Sequence, residues 1–174
     1  LASQISSVNY IINQIADIQF DILHPTKKHR VLPSGKISVK SASLVACVLM
    51  VITLLIGILF YESLFVWMLV VFLIAGLVYN LQPIRFKDVP FIDVLSESIN
   101  NPIRFMIGWT TVTVGNLPPI SLLLLTWAIG ALLMTAKRFD ELRTLGSKLI
   151  PYRSTFSVYS LPVLRNCIFI YMTL

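Results

Sequence analysis

Charge is what this sequence has least of. Only 13% of its 174 residues are Asp, Glu, Lys or Arg, where a soluble domain of similar size carries about 25%. Cysteine is scarce too. Cys47 and Cys167 both fall inside apolar runs, which reads them as small hydrophobic residues and supports no disulfide framework. No Cys/His pattern has metal-site spacing. Lys and Arg are missing from two short turns, Tyr61-Glu62-Ser63 and Gly115-Asn116-Leu117-Pro118-Pro119. An initiating Met is absent, and both ends, at Leu1 and Leu174, lie in or near apolar runs. The chain therefore reads as one transmembrane domain, residues 1–174, cut at both ends from a larger membrane protein, with no legible targeting signal.

What is abundant is apolar surface, 56% of the residues, with a mean hydropathy of +0.82. Ser41 to Phe60 carries no charge, and as a helix it spans about 30 Å, the thickness of a bilayer core. Leu64 to Leu81 and Pro118 to Ala136 repeat the pattern. In lipid every backbone polar group must be paired internally. The expected fold is thus an all-α polytopic bundle of about six helices embedded in the lipid bilayer.

The net charge of +6 would suit nucleic acid, but its distribution argues for no nucleic-acid partner. Lys27, Lys28, Arg30, Lys36 and Lys40 form one polar segment, Arg85 and Lys87 a second, and Lys137, Arg138, Arg143, Lys148 and Arg153 a third. These alternate with the two turns free of Lys and Arg, as the positive-inside rule requires. The chain reads as a multi-pass cell-membrane protein with its basic loops on the cytoplasmic side. Topology does not explain Asp17, Asp21, Lys137 or Glu141 at helix ends.

Segment one, about Ser3 to Asp21, ends at His24-Pro25, because proline disfavours helix in the residue before it and cannot continue the ladder. A loop follows from about Ile22 to Val39, with a turn at Pro33-Ser34-Gly35. Segments two (Lys40 to Phe60) and three (Leu64 to Leu81) are joined so tightly that they form an antiparallel hairpin. Segment four, about Pro90 to Val114, places Asp93, Glu97, Asn100, Asn101 and Arg104 at three- and four-residue spacing, most on one face. Such residues in a membrane helix face a cavity or one another; the alternative is a surface amphipathic helix. Pro102 should kink it. Segment five, about Leu117 to Ala136, ends in Lys137-Arg138-Phe139-Asp140-Glu141-Leu142-Arg143, on the same side as Asp17 and Asp21. A sixth apolar run starts near Tyr159 and is interrupted by Pro162 and Arg165.

Asn13, Asp17 and Asp21 recur at i, i+4 and i+8, one stripe of a helix. Two carboxylates and an amide supply oxygen ligands for a hard divalent cation. The basic patch just beyond can hold phosphate oxygens. Together they read as a place for a metal-chelated diphosphate. His24 has a residue type suited to general-base work, yet His-Pro more often marks a loop.

The run Asn13-x-x-x-Asp17-x-x-x-Asp21 resembles the first aspartate-rich motif of the UbiA prenyltransferase superfamily, intramembrane transferases of about nine helices that satisfy their backbones within the bundle. The continuation His24-Pro25-Thr26-Lys27-Lys28-x-Arg30…Gly35 is similar to the branch that moves phosphoribose from phosphoribosyl diphosphate to decaprenyl phosphate. Lys137-Arg138-Phe139-x-Glu141-Leu142 resembles that branch's second motif, and Tyr79 through Asp93 with Arg104 fits its middle region. Two departures stand out: Gln14 where the family usually has Asp, and Val31 where Pro is usual. The likeness implies helices two to seven of the fold and Mg²⁺ as cofactor. It implies Asn13, Asp17 and Asp21 as metal ligands. Lys27, Lys28, Arg30, Arg104, Lys137 and Arg138 become phosphate-binding residues, and Glu141 orients Lys137 or bonds the ribose. The partners implied are a polyprenyl lipid and a diphosphate donor. Alternative readings are a prenyltransferase joining an isoprenoid diphosphate to an aromatic or other small acceptor, and a non-catalytic transporter or scaffold using segment four's polar face.

Overall fold

The computed structural model describes residues 1–24, 26–113, 116–146 and 154–174. Pro25, Val114, Gly115, Lys148, Pro151 and Arg153, named above, lie outside the described residues. Among the described residues the secondary structure is helical, with no strand. Among the described residues there are seven α-helices: α1 (Ala2–Asp21), α2 (Val39–Phe60), α3 (Ser63–Asn80), α4 (Ile92–Ser98), α5 (Asn100–Val112), α6 (Ile120–Leu145) and α7 (Leu161–Thr173). Since α4 and α5 are two halves of one broken helix, the expected six-helix bundle is present. Helices α2, α3 and α6 are long and apolar enough to cross a membrane.

Local chemistry explains the boundaries. Ser38 caps α2, its Oγ accepting from Ser41 N at 3.1 Å, which satisfies one orphan donor of the first turn. The α4–α5 break at Ile99 lies three residues before Pro102. Proline cannot donate to the carbonyl four residues back, that of Ser98, and its ring crowds it. The kink expected at Pro102 is thus a full interruption one turn earlier.

Two boundaries depart from the sequence reading. Helix α6 starts at Ile120 rather than Leu117, because Pro119 serves as its N-cap. It runs through the whole second motif to Leu145, about two and a half turns past Ala136. Helix α7 is not interrupted by Pro162; the proline stands in its first turn, where a missing N–H costs nothing.

The core lies between α1, α3 and α5, where Ile5, Val8, Phe65, Leu69, Phe72, Ile103 and Ile107 are buried together. Within a bilayer, helix association depends on close packing more than on the hydrophobic effect, and small residues provide it here. A Cβ at Gly76 would collide with the Asn9 side chain of α1, and one at Gly130 with Asn101 of α5. These contacts set how near α3 and α6 come to their neighbours. At the hairpin, Gly57 of α2 faces Val66 and Leu69 of α3.

Candidate active site

One cavity of about 480 Å³ opens where α1, α3, α4, α5 and the end of α6 converge. Asn13, Asp17 and Asp21 line it from α1, Glu97 from α4, Asn100 and Arg104 from α5, and Lys137, Arg138 and Glu141 from α6. Lys27 and Arg30 enter from the loop after α1. Both sequence motifs therefore meet in one space. Seven Lys and Arg side chains line it against five carboxylates.

The sequence reading missed two residues central to this geometry, Arg85 and Lys87, which it left to topology. Asp17 Oδ1 accepts from Lys87 Nζ at 2.5 Å and from Arg85 Nη2 at 3.1 Å. Arg85 also donates to Asp88 Oδ2 at 2.6 Å, to Asn80 O at 3.1 Å and to Ala16 O at 3.5 Å, so it ties α1, the end of α3 and the loop after α3 together. Its backbone is left-handed, with φ +42°. For a residue with a Cβ that conformation costs about 1–2 kcal/mol, and the four-way hydrogen bonding offsets it. Lys87 is buried at 5% exposure, and it reaches Asp17 because the loop turns there. The only sequence signal for this pair was its place on the same side as Asp17.

Asp21, at 3% exposure, pairs with Arg30 Nη1 at 2.9 Å and with Lys27 Nζ at 4.0 Å. Lys28 is exposed and does not line the cavity. The short 3-10 turn over Lys27–His29 points it outward. His24 holds that turn. Its Nδ1 accepts from Thr26 N at 3.2 Å and Lys27 N at 3.3 Å, as an unprotonated nitrogen. Burial, with Lys27 nearby, lowers its pKa below the ordinary histidine value.

At the α6 end the two adjacent basic residues part company. Lys137 is exposed toward the cavity. Arg138 is 2% exposed, and its guanidinium meets Asp93 Oδ2 at 3.1 Å, Glu141 Oε2 at 3.0 Å and Glu97 Oε2 at 3.5 Å. Asp93 also accepts a short hydrogen bond from Tyr159 OH, and Tyr79 OH donates to Glu97 at 2.7 Å. Burial and the bond to Asp93 push the Tyr159 phenol above its usual range. Glu141 thus serves Arg138, not Lys137, and Arg138 is engaged by three carboxylates instead of standing open to phosphate. Asp93 faces this cluster and Asn101 packs near Gly130, so only part of segment four's polar face turns to the cavity.

The residues present fit a magnesium ion. Asn13 Nδ2 donates to Asn80 Oδ1 at 2.5 Å, which fixes the amide and leaves its carbonyl oxygen over. Asp17 Oδ2 accepts from no described side chain. Oxygen donors on one stripe suit a hard cation that keeps waters and takes substrate phosphate oxygens for the rest of its shell. No group of three or more His, Cys, Asp or Glu set for a metal occurs among the described residues, and that mode of binding does not require one. Gln14, the family departure, does not line the cavity; it is buried at 8% exposure.

Comparison with known proteins agrees with this architecture. The model of the UbiA prenyltransferase family matches residues 4–172. The chain therefore belongs to the UbiA prenyltransferase family and is an integral membrane protein. Among solved structures, it superposes with a TM-score of 0.78 on a UbiA homolog from Archaeoglobus fulgidus bound to GPP and Mg²⁺, at 19% identity, covering 98% of this chain and 61% of that one. A structure of a UbiA homolog from Archaeoglobus fulgidus bound to DMAPP and Mg²⁺ gives a TM-score of 0.71 at 21% identity, over 98% of this chain and 64% of that one. These likenesses establish the fold. The protein y4nM of Sinorhizobium fredii (strain NBRC 101917 / NGR234), described as uncharacterized, is 34% identical over 104 residues, 60% of this chain and 19% of its own length. The chain thus spans under two thirds of each of these proteins.

Proposed function

We propose that this chain is the catalytic part of a magnesium-dependent intramembrane transferase that moves phosphoribose from phosphoribosyl diphosphate to a polyprenyl phosphate. The observation that carries the reaction class is the single cavity lined by Asp17 and Asp21 on one side and Lys137 on another. Asn13, Asp17 and Asp21 would hold Mg²⁺, which supplies Lewis-acid stabilisation of the departing diphosphate. In the ligand-free arrangement Lys87, Arg85, Arg30 and Lys27 rest on the two aspartates. On donor binding these cations turn to phosphate oxygens and release the carboxylates, so charge is exchanged rather than created in a partly dry site. Lys137 meets the same diphosphate from across the cavity. Arg138 and Glu141 act indirectly, by holding the end of α6 against α4. The acceptor phosphate is already anionic, and no strong base is required.

The choice of donor is supported by the cavity's floor. Ser6, Asn9, Asn13, Asn80 and Asn100 line it, and the Asn9 and Asn100 amide oxygens are buried without a hydrogen-bond partner. Amides at that depth suit a hydroxylated sugar better than a hydrocarbon tail. An isoprenoid diphosphate donor is favoured instead by the relatives, whose structures hold GPP and DMAPP, and by Tyr10, Phe20 and Phe72 in the wall. The positive-inside rule places the motif ends on the cytoplasmic side.

The test is transfer by the full-length protein, purified in detergent with Mg²⁺. Label from phosphoribosyl diphosphate should appear in polyprenyl phosphate. Product only with an isoprenoid diphosphate would favour the other donor. Full activity in Asp17→Ala and Asp21→Ala would remove the transferase reading.

A further inference from the structure

Asn80 is the last residue of α3 and is 3% exposed. Asparagine at a helix end can serve as a left-handed cap. This one does not: the chain leaves α3 through Leu81, extended at φ −103°, and the Asn80 amide folds back along the helix. Its Nδ2 donates to Gly76 O at 2.8 Å. A backbone carbonyl can only accept, so this bond decides which end of the amide faces which way. Oδ1 is left to α1 and to the loop after α3. There it accepts from Asn13 Nδ2 at 2.5 Å and from Lys87 Nζ at 3.3 Å, one bond for each lone pair. Polarity is thus passed from Gly76 to Asn80 to Asn13. Asn13 has to present its NH₂ to Asn80, and its carbonyl oxygen is the end left for the cavity that both asparagines line. Turned the other way, Asn13 would set one carbonyl oxygen against another and leave both without a donor.

We infer that Asn80 is a positioning residue for the metal–diphosphate site, turning the Asn13 oxygen toward the metal and anchoring Lys87 beside the phosphates. The inference rests on the transferase reading above and adds a side chain outside both motifs. Asn80 is no metal ligand itself, because both lone pairs of its oxygen are taken. It acts through the two residues it holds. Lys87 has three N–H donors. When Asp17 turns to the metal, the ammonium keeps Asn80 and still has donors for a phosphate oxygen. Partners that orient a metal ligand in this way are worth about 10–100-fold in metal affinity.

The experiment is a double-mutant cycle on the full-length protein in detergent. Calorimetry reads Mn²⁺ affinity with pyrophosphate present, independently of turnover. Asn13→Ala and Asn80→Ala should each weaken Mn²⁺ binding by about tenfold or more. The double variant should fall well short of the product of the two, because both changes remove the same oriented oxygen. Asn80→Asp keeps the acceptor and should hold Mn²⁺ within about threefold of the unaltered protein. Wild-type affinity in Asn80→Ala would overturn the inference, and so would losses that multiply in the double variant. Should Asn80→Ala fail to fold, Asn13→Asp decides the matter. It adds a negative charge at the metal but sets acceptor against acceptor at Asn80, so Mn²⁺ binding should not tighten; tighter binding would overturn the inference. Absence of Mn²⁺-dependent pyrophosphate binding in the unaltered protein would instead fault the transferase reading, and the inference with it.

Discussion

Arg138 and Asp93 are sealed together, at 2% and 0% side-chain exposure, with Nε and Oδ2 3.1 Å apart. The pair joins the end of α6 to α4, and Glu97 and Glu141 complete its surroundings. Next to it, Lys137 projects into the cavity with no ion-pair partner among the described residues. Consecutive positions on a helix point about 100° apart, so one residue of the motif holds the fold and the other serves the site.

The two should separate on mutation. Arg138→Met leaves buried Asp93 without its counter-charge, and stability should fall by about 3–5 kcal/mol. Lys137→Gln should leave stability within about 0.5 kcal/mol, as exposed changes do, while weakening diphosphate binding. Thermal unfolding in detergent alongside pyrophosphate binding checks both. Equal stability loss in the two variants would contradict this division.

Lys87 rests on Asp17 at 2.5 Å and therefore competes with a cation for that carboxylate. Lys87→Met should tighten Mg²⁺ binding in the absence of diphosphate, because the carboxylate is released. It should weaken binding of the magnesium–pyrophosphate complex by about tenfold, since a phosphate partner is lost. Titration calorimetry with and without pyrophosphate reads both signs. Movement of both affinities in the same direction would mean that Lys87 is purely structural.

His24 provides a pH test in the metal-free protein. Its pKa is lowered by burial and by Lys27, so the folded loop prefers the neutral ring. The stabilisation is present above the unfolded value of about 6.5 and is lost as pH falls through the lowered folded value. Protonation takes Nδ1 away from the Thr26 and Lys27 amides. The protection factors of those two amides, referred to the intrinsic exchange rate at each pH, should therefore fall on acidification through that range, and His24→Gln should flatten the profile. A profile unchanged in His24→Gln would rule this cap out.

The fold was largely legible because the bilayer demands it. Uncharged runs of helix-spanning length leave few other structures, and α2 and α3 fall within a residue of their expected ends. The extension of α6 was harder to see, since a polar sequence such as Lys137 to Arg143 reads as a loop until packing shows it to be helix. The site was legible along α1, where a four-residue period declares a stripe. It was not legible in the loop after α3. Arg85 and Lys87 reach Asp17 through a left-handed turn at Arg85, and no periodicity reports a pairing that distant in sequence. Gly76 is a similar case: its role is to admit Asn9 from another helix.

The central claim is that the α1 carboxylates hold a metal whose diphosphate is met from α6. Manganese can stand in for magnesium, and pulsed electron paramagnetic resonance with pyrophosphate reads the metal and the phosphorus together. The wild-type protein should show bound Mn²⁺ with ³¹P coupling. Asp17→Asn and Asp21→Asn should lose the bound metal, and Lys137→Gln should retain the metal while holding pyrophosphate more weakly. Undiminished Mn²⁺–pyrophosphate binding in both aspartate variants would contradict the account.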